Sequence, residues 1–241
     1  MKTRGDKNKW QIPFFTIWTG QVLSLAGSTV TQFALVWYLT ETTGSATVLA
    51  TALLMALLPG IFLGPFIGAL IDRWNRRVVM IVADSVIALA IVWLAYLFWV
   101  DALQIWHVYV IMFMRAVGGG FHLPAMQAST SLMVPKEHLA RVVGINQMLS
   151  GVMNIIGAPL GALLMGLLPM HGVMLVDIVT AALAIGPLFF VHIPQPKRGD
   201  EGRAQKQSMW ADLGDGLRYL RGWSGLMALI GFALILKTAL T

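Results

Sequence analysis

The sequence predicts an all-α membrane protein, and three observations lead there. Only 12% of the 241 residues are charged and 57% are hydrophobic, with a mean hydropathy of +0.74. A soluble globular domain carries about 25% charged residues. The apolar residues form six long runs and the start of a seventh, each complete run reaching the ~20 residues that cross the hydrocarbon of a bilayer. The lysines and arginines gather in alternate inter-run segments. In hydrocarbon every backbone polar group needs an internal partner, so runs of this length are helices. The ~10-residue alternating segments of a strand barrel are not seen.

Taken in order, the chain opens with a basic cytoplasmic tail, residues 1–13, with Lys2, Arg4, Lys7 and Lys9. The apolar stretch after it is too long for a signal-peptide core. The spans run Phe14–Leu39, Thr47–Ile71, Val78–Val100, Ile105–Met126, Val142–Leu168 and Gly172–Ile193, so residues 14–193 form a six-helix bundle. Residues 194–224 read as a polar cytoplasmic linker. Within it Trp210, Leu213, Leu217 and Leu220 recur at helical spacing with Arg218 and Arg221, as either a surface amphipathic helix or a soluble linker helix. A seventh span begins near Gly225 and is cut off at Thr241.

The formal net charge of +6 is a topology signal. Fifteen of the 17 Lys and Arg fall in the N-terminal tail, the second-to-third loop, the fourth-to-fifth loop and the segment after span six. The three opposite loops hold none. By the positive-inside rule the N-terminus is cytoplasmic, and nucleic-acid binding has no support. Trp10, Trp99 and Trp106 lie near span boundaries, as an interfacial aromatic belt requires. There is no cysteine, hence no disulfide, thiolate metal site or cysteine nucleophile. The five histidines lack metal-ligand spacing. Gly118-Gly119-Gly120 lacks the strand–turn–helix setting of a phosphate loop. No catalytic residue, metal or cofactor is expected.

Two stretches repeat. Pro65-Phe-Ile-Gly68-Ala69-Leu70 in span two resembles Pro159-Leu-Gly161-Ala162-Leu163 in span five, and an aspartate follows each leucine by 14 residues, at Asp84 and Asp177. Spans two and five run in opposite directions, as in the three-plus-three inverted repeats of secondary transporters.

The sharpest motif is Gly68-Ala-Leu-Ile-Asp72-Arg73-Trp-Asn-Arg76-Arg77, at the junction of spans two and three. A carboxylate near a helix C-terminus is disfavoured by the dipole, so Asp72 calls for a cationic partner among Arg73, Arg76 and Arg77. Alternatively the arginines are topology anchors and Asp72 is solvated. This segment resembles the signature of the major facilitator superfamily, Gly-x-Leu-x-Asp-Arg-x-x-Arg-Arg, with Asn75 where many members have Gly. The resemblance implies a gate that latches two six-helix bundles on the cytoplasmic side, served here by Gly68, Asp72, Arg73, Arg76 and Arg77. It also implies twelve spans. This chain is then the N-terminal six-helix bundle of a major facilitator fold plus the start of a seventh helix. The C-terminal six-helix half of the same polypeptide is missing, so a fragment or a truncated product is expected.

Arg115 lies about ten residues into span four, ~15 Å along a helix, where a charge faces a cavity or a partner. Arg115-Ala-Val-Gly118-Gly119 is similar to the family's fourth-helix motif, which implies a role in proton coupling; pairing with Asp84 or Asp177 is the alternative, and the two are compatible. His122 shares its face, as a hydrogen-bonding residue or a proton carrier. Span one presents Gln21, Ser24, Ser28 and Gln32, and span five Gln147, Ser150 and Asn154, continuing into the small residues Gly157 and Gly161 with Pro159 between them. Such stripes line either a transport pathway or a tight helix contact. Span five reads Gly157-Ala158-Pro159-Leu160-Gly161-Ala162 where the family's antiporters have Gly-Pro-x-x-Gly-Gly.

Trp18-Thr-Gly20-Gln21, Tyr38-Leu-Thr40-Glu41-Thr-Thr43-Gly44-Ser45, Phe121-His122-x-Pro124-Ala125 and Gly216-Leu-Arg218-Tyr219-Leu are similar to the macrolide-efflux and enterobactin-exporter branch of the superfamily. That likeness implies a multi-pass protein of the bacterial cytoplasmic membrane. It would export drugs or other amphipathic small molecules, using protons, by alternating access. Trp18, Phe33 and Trp37 offer apolar contacts to such a substrate or to lipid. Uptake by symport and a non-transporting membrane protein are the competing readings.

Overall fold

The computed structural model describes residues 10–191 and 193–195. Among them are six α-helices: α1 (Gln11–Thr43), α2 (Ala46–Arg73), α3 (Arg76–Trp99), α4 (Ile105–Met133), α5 (Lys136–Leu167) and α6 (Met170–Phe190). Each holds a stretch long and apolar enough to cross a membrane. The seventh span, the linker helix and the first nine residues of the tail lie outside the described residues.

Several helices outrun the apolar stretches that announce them. α5 starts at Lys136 rather than near Val142, and α4 continues to Met133 rather than stopping near Met126. Hydropathy marks the part of a helix in hydrocarbon, whereas the backbone ladder continues into the interface until a cap ends it. The caps are local. Gly44 closes α1 in the left-handed region, φ 57°, its N–H bonded to the Thr40 carbonyl at 2.9 Å, a conformation glycine adopts without a Cβ penalty. The Ser45 hydroxyl accepts from the Val48 N–H and so opens α2. Asn75 opens α3, its carbonyl oxygen accepting from the Arg77 N–H at 3.0 Å and the Val78 N–H at 3.4 Å. Its φ of −69° is ordinary for any residue, so glycine is not needed there, and a cap replaces it.

Short connections force neighbouring helices antiparallel, and the packing then shows the repeat. α1 packs on α6 as α4 packs on α3; α5 packs on α1 as α2 packs on α4; and α3 meets α6 at the centre. Exchanging the triplets α1–α3 and α4–α6 carries each of these contacts onto a member of the same set. α2 and α5, the matched pair, are the least buried of the six.

The interior is layered. At the end of the bundle that carries Arg73, Arg76 and Arg77, Ile17, Ile67, Ile71, Met80, Ala125 and Leu188 form one apolar cluster. At the opposite end Leu35, Leu39, Ile91, Leu94, Ile111 and Met174 belong to another. Asp84, Arg115, His122 and Asp177 lie between them along α3, α4 and α6. The interior therefore alternates apolar, charged, apolar.

Two glycines set the α1–α6 spacing. Gly20 and Gly27 are seven residues apart, so they share a face of α1. A methyl at Gly20 would lie 2.7 Å from the Leu183 carbonyl oxygen and 3.0 Å from the Ala184 Cα, and one at Gly27 would lie 3.1 Å from the Asp177 Cα. Backbone atoms cannot rotate away, so a side chain there forces the helices apart. Gly20→Ala is expected to destabilise the bundle by about 1–3 kcal/mol. Gly60→Ala on α2, where no atom lies within 4 Å, should leave it unchanged or slightly steadier. Thermal unfolding of both variants in mild detergent checks this; equal midpoints would show that the α1–α6 contact is not tight.

Candidate functional site

In the charged layer each aspartate bridges α1 and α4. Asp177 on α6 is almost wholly buried, and its Oδ2 lies 2.9 Å from Nη1 of Arg115. The other Arg115 amino group donates to the Ser28 carbonyl at 3.0 Å, and the Ser28 hydroxyl donates to Asp177 Oδ1 at 3.2 Å. Arginine is effectively always protonated, so this is a fixed, mutually neutral pair with further hydrogen bonds to each partner. That is the condition under which buried ions are tolerated.

Asp84 on α3 occupies the equivalent place with a different set of partners. Its Oδ1 lies 2.7 Å from Nδ1 of His122, and its Oδ2 accepts from the Gln21 amide at 3.3 Å. The imidazole contact is a short juxtaposition rather than an aligned hydrogen bond. The two clusters match across the repeat: Gln21 and Arg115 are 94 positions apart, as are Ser28 and His122, and Asp84 and Asp177 are 93 apart. Of the two aspartates open to Arg115 in the sequence, it takes Asp177.

Beside this layer is a cavity of about 600 Å³ between α1, α4 and α5. Gln21 and His122 stand at its edge, so Asp84 lies one side chain away from it. Its wall is mostly apolar, with Val22, Leu25, Leu123, Met126 and Leu149, and is interrupted by Gln127, Thr130, Asn146, Gln147 and Ser150. The Trp18 indole, also in the wall, donates to Asn146 Oδ1 at 2.7 Å. An apolar wall with a few placed polar groups is the usual form of a small-molecule site.

The polar stripes read from the sequence divide along their length. Gln21 reaches both the cavity and Asp84, while Ser28 belongs to the Arg115–Asp177 cluster. Ser24 and Gln32 are half-buried on α1. On α5, Gln147 and Ser150 line the cavity and Asn154 is exposed. Gly157 and Gly161 press on α1, where a methyl would lie 2.2 Å from Thr29 Cγ2 and 2.6 Å from the Phe33 ring, respectively. Pro159 is exposed within α5. Trp37 stacks on Phe33 and is half-exposed.

The arginine-rich loop does something the sequence did not foretell. Arg77 donates to the Leu188 and Phe189 carbonyls at the C-terminal end of α6, where a cation satisfies orphan acceptors and complements the dipole. Arg76 is buried, and its Nη1 donates to the Ala128 carbonyl of α4 at 3.0 Å. Asp72 is 78% exposed and 3.9 Å from Arg76, a separation and setting in which an ion pair contributes little. Gly68 is exposed with no atom within 4 Å of a Cβ placed there. A second, apolar hollow of about 680 Å³ lies between α3 and α4 under Trp74, with Val78, Val82, Val117 and Phe121 in its lining and Arg73 at its edge.

The sequence gives Gly20 only as part of a family likeness and does not single out Gly27 or Asn146, although each stands one position from a polar residue of a stripe. The seven-residue spacing of the two glycines was the available signal. Among the described residues, no group of three or more His, Asp or Glu could hold a metal ion.

Removing one member of the fixed pair strands the other. Arg115→Ala is expected to cost about 3–5 kcal/mol, and Arg115→Met combined with Asp177→Leu to recover most of that loss. Denaturation midpoints in detergent decide it: an Arg115→Ala protein as stable as the parent would mean that the pair is not buried as described.

Comparison with known proteins adds the following. Residues 17–241 match the family model described as Major Facilitator Superfamily. The chain is 37% identical over 223 residues to "Macrolide efflux protein A" of Streptococcus pyogenes, covering 92% of this chain and 55% of that protein. It is 35% identical over 161 residues to "Macrolide efflux protein A" of Enterococcus faecalis, covering 67% of this chain and 49% of the relative. A 28% match over 95 residues joins it to "Uncharacterized MFS-type transporter YkuC" of Bacillus subtilis, covering 39% of this chain and 22% of that protein. The chain thus spans about half the length of the curated relatives it matches.

Proposed function

This chain belongs to the major facilitator superfamily, and from that premise we propose that it supplies the N-terminal bundle of a proton-coupled exporter of amphipathic, macrolide-like small molecules. The observation that carries the reading is the cavity between α1, α4 and α5. It is sized for a small molecule, mostly apolar, and edged by Gln21 and His122 next to a buried charged layer. The streptococcal and enterococcal relatives, both named as macrolide efflux proteins, supply the substrate class.

In this reading the protein lies in the bacterial cytoplasmic membrane, with the N-terminus and the arginine-bearing end of the bundle cytoplasmic, because the basic residues of alternate loops gather there. The cavity is lined from that end: Trp18 and Gln21 come from the first third of α1, Met126 and Thr130 from the last third of α4. Substrate enters from the cytoplasm. A second six-helix bundle closes the open side of the cavity, and rocking of one bundle against the other gives alternating access. The linker of residues 194–224 joins the two, and residues 225–241 begin the second.

Asp72 is the one group of the loop motif that faces outward with an exposed carboxylate, whereas Arg76 and Arg77 turn inward and brace α4 and α6. The gate therefore divides its labour: Gly68 and Asp72 present a surface to the second bundle, and the arginines keep that surface rigid. Arg73, at the rim of the apolar hollow, stands at the same junction.

The test is accumulation of a labelled macrolide in cells expressing the full-length gene product. Accumulation is expected to fall several-fold relative to empty vector. A protonophore should restore it, and Asp72→Asn should weaken the effect without lowering the amount of protein in the membrane. Accumulation equal to the empty-vector control removes macrolides from the substrate list, and accumulation above it makes the protein an importer.

A further inference from the structure

The apolar hollow of about 680 Å³ between α3 and α4 shares no residue with the cavity between α1, α4 and α5. α2 and α3 are consecutive, yet each packs on α4 far more than on the other. The hollow runs along Val78, Val82 and Val86, which at i, i+4 and i+8 form one row about 12 Å long on α3. Val117, Gly118 and Phe121 supply the wall from α4. It ends where the two helices close on each other: a methyl at Gly118 would lie 2.6 Å from Ile87 Cγ1 and 3.2 Å from the Ala83 carbonyl oxygen. Every residue of both walls is apolar, and Val78 and Val82 are more than half exposed. The mouth is different. Arg73, Trp74 and Asn75 of the α2–α3 connection stand there, and the Trp74 indole faces the Phe121 ring at 6.3 Å and 16°.

The direction of the hollow around α4 decides what fills it. At about 100° per residue, Val117, Gly118 and Phe121 fall within about 100° of one another. Leu123, Met126 and Thr130, which line the cavity, centre on the opposite face. A second bundle that closes the cavity therefore leaves the hollow to the bilayer. A slot walled by valines fits an acyl chain, and an indole at its mouth suits the level where amphipathic rings meet lipid headgroups. Charge then selects among lipids. Arg73, Arg76 and Arg77 against Asp72 give the connection a net of two positive charges. Arg76 and Arg77 donate to neutral carbonyls, of Ala128 and of Leu188 and Phe189. Asp72 stands 3.9 Å from Arg76 and is not in the lining. The repeat offers a comparison. At the corresponding turn, 93 positions on, Gly166, Leu167, Leu168, Pro169 and Met170 include neither a charge nor an aromatic ring. The turn itself asks for neither.

We infer that the hollow holds one anionic phospholipid, an acyl chain lying along the valine row of α3, the phosphate at the arginine-bearing turn and Trp74 between the two. The inference rests on the transporter reading only for the side on which the second bundle lies. Bound there, the lipid fills space that the helices leave open and ties α3 and α4 to the turn between α2 and α3. It thereby stiffens the junction at which Asp72 and the arginines stand. An anionic headgroup is favoured over a zwitterionic one because the cations of the turn outnumber its single carboxylate.

The experiment uses the full-length protein, delipidated in mild detergent and offered phosphatidylglycerol, phosphatidylcholine or diacylglycerol, with native mass spectrometry counting the molecules retained. Phosphatidylglycerol is expected to remain as one tightly held copy, several-fold above phosphatidylcholine. Diacylglycerol, which has the chains without the phosphate, should be lost. Arg73→Gln should weaken retention of phosphatidylglycerol about fivefold, the effect of one arginine at an anionic surface. Val82→Trp, which fills the slot, should abolish the tight copy. Position is read from Trp74 emission, taken as the difference between the parent and Trp74→Phe in nanodiscs. Phosphatidylglycerol brominated in its chains should quench that emission more than brominated phosphatidylcholine at equal mole fraction. Equal retention of the two phospholipids, a tight copy that survives Val82→Trp, or equal quenching by both lipids would overturn the inference. Should Val82→Trp fail to assemble, quenching and lipid selectivity in the parent protein decide the matter. Loss of lipid selectivity in a protein that still lowers macrolide accumulation overturns the inference alone. Selective retention of phosphatidylglycerol in a protein without effect on accumulation overturns the macrolide reading alone.

Discussion

A charged layer between two apolar clusters is the constraint around which this bundle is organised. Ions are expensive in such a place, and the cost is met by geometry that only the assembled helices provide. Asp177 on α6 needs Arg115 from α4 and Ser28 from α1, and Asp84 on α3 needs His122 from α4 and Gln21 from α1. The polar contacts tie together the four helices α1, α3, α4 and α6, while α2 and α5 pack on the outside of α4 and α1. The same close approach that lets Ser28 reach Asp177 requires Gly27 beside it, so packing and electrostatics are satisfied by adjacent residues of one helix.

The inverted repeat gives this arrangement its economy. Three helices and their mates use one set of contacts twice, and the charged layer is that set seen at its most polar point. What differs between the copies is side-chain chemistry, not backbone geometry. Arginine pairs with one aspartate, whereas the other meets a glutamine amide and an imidazole. The cavity of about 600 Å³ lies beside the second cluster, with Gln21 and His122 in its wall.

Much of this was legible in the sequence. The six spans followed from the lengths of apolar runs, and the repeat from the 14-residue step that ends at Asp84 and at Asp177. The depth of Arg115 marked a group in need of a partner. The choice of Asp177 was not legible, because both aspartates lie on helices that meet α4, and register decides which reaches Arg115. The polar stripes showed a face but not its use: Ser28 and Gln147 look alike in a periodicity count, yet one is locked in an ion cluster and the other lines a cavity. The sequence marks the arginines of the loop motif as anchors or gate. That Arg77 would reach the carbonyl end of α6 depends on a contact between residues more than a hundred positions apart. Helix ends were off by up to several residues for a simpler reason, since hydropathy stops at the hydrocarbon boundary and the hydrogen-bond ladder does not.

The α2–α3 loop also fixes the place where the chain leaves α6. Arg77 holds the last carbonyls of that helix, Ile193 is buried, and the Gln195 side chain accepts from the Arg76 N–H at 3.3 Å. The exit point is thus moored to the bundle rather than hanging from it by slack chain. One short loop therefore serves as a clasp for two separated stretches of chain, so a substitution that loosened it would free the end of α6 as well as the α2–α3 junction.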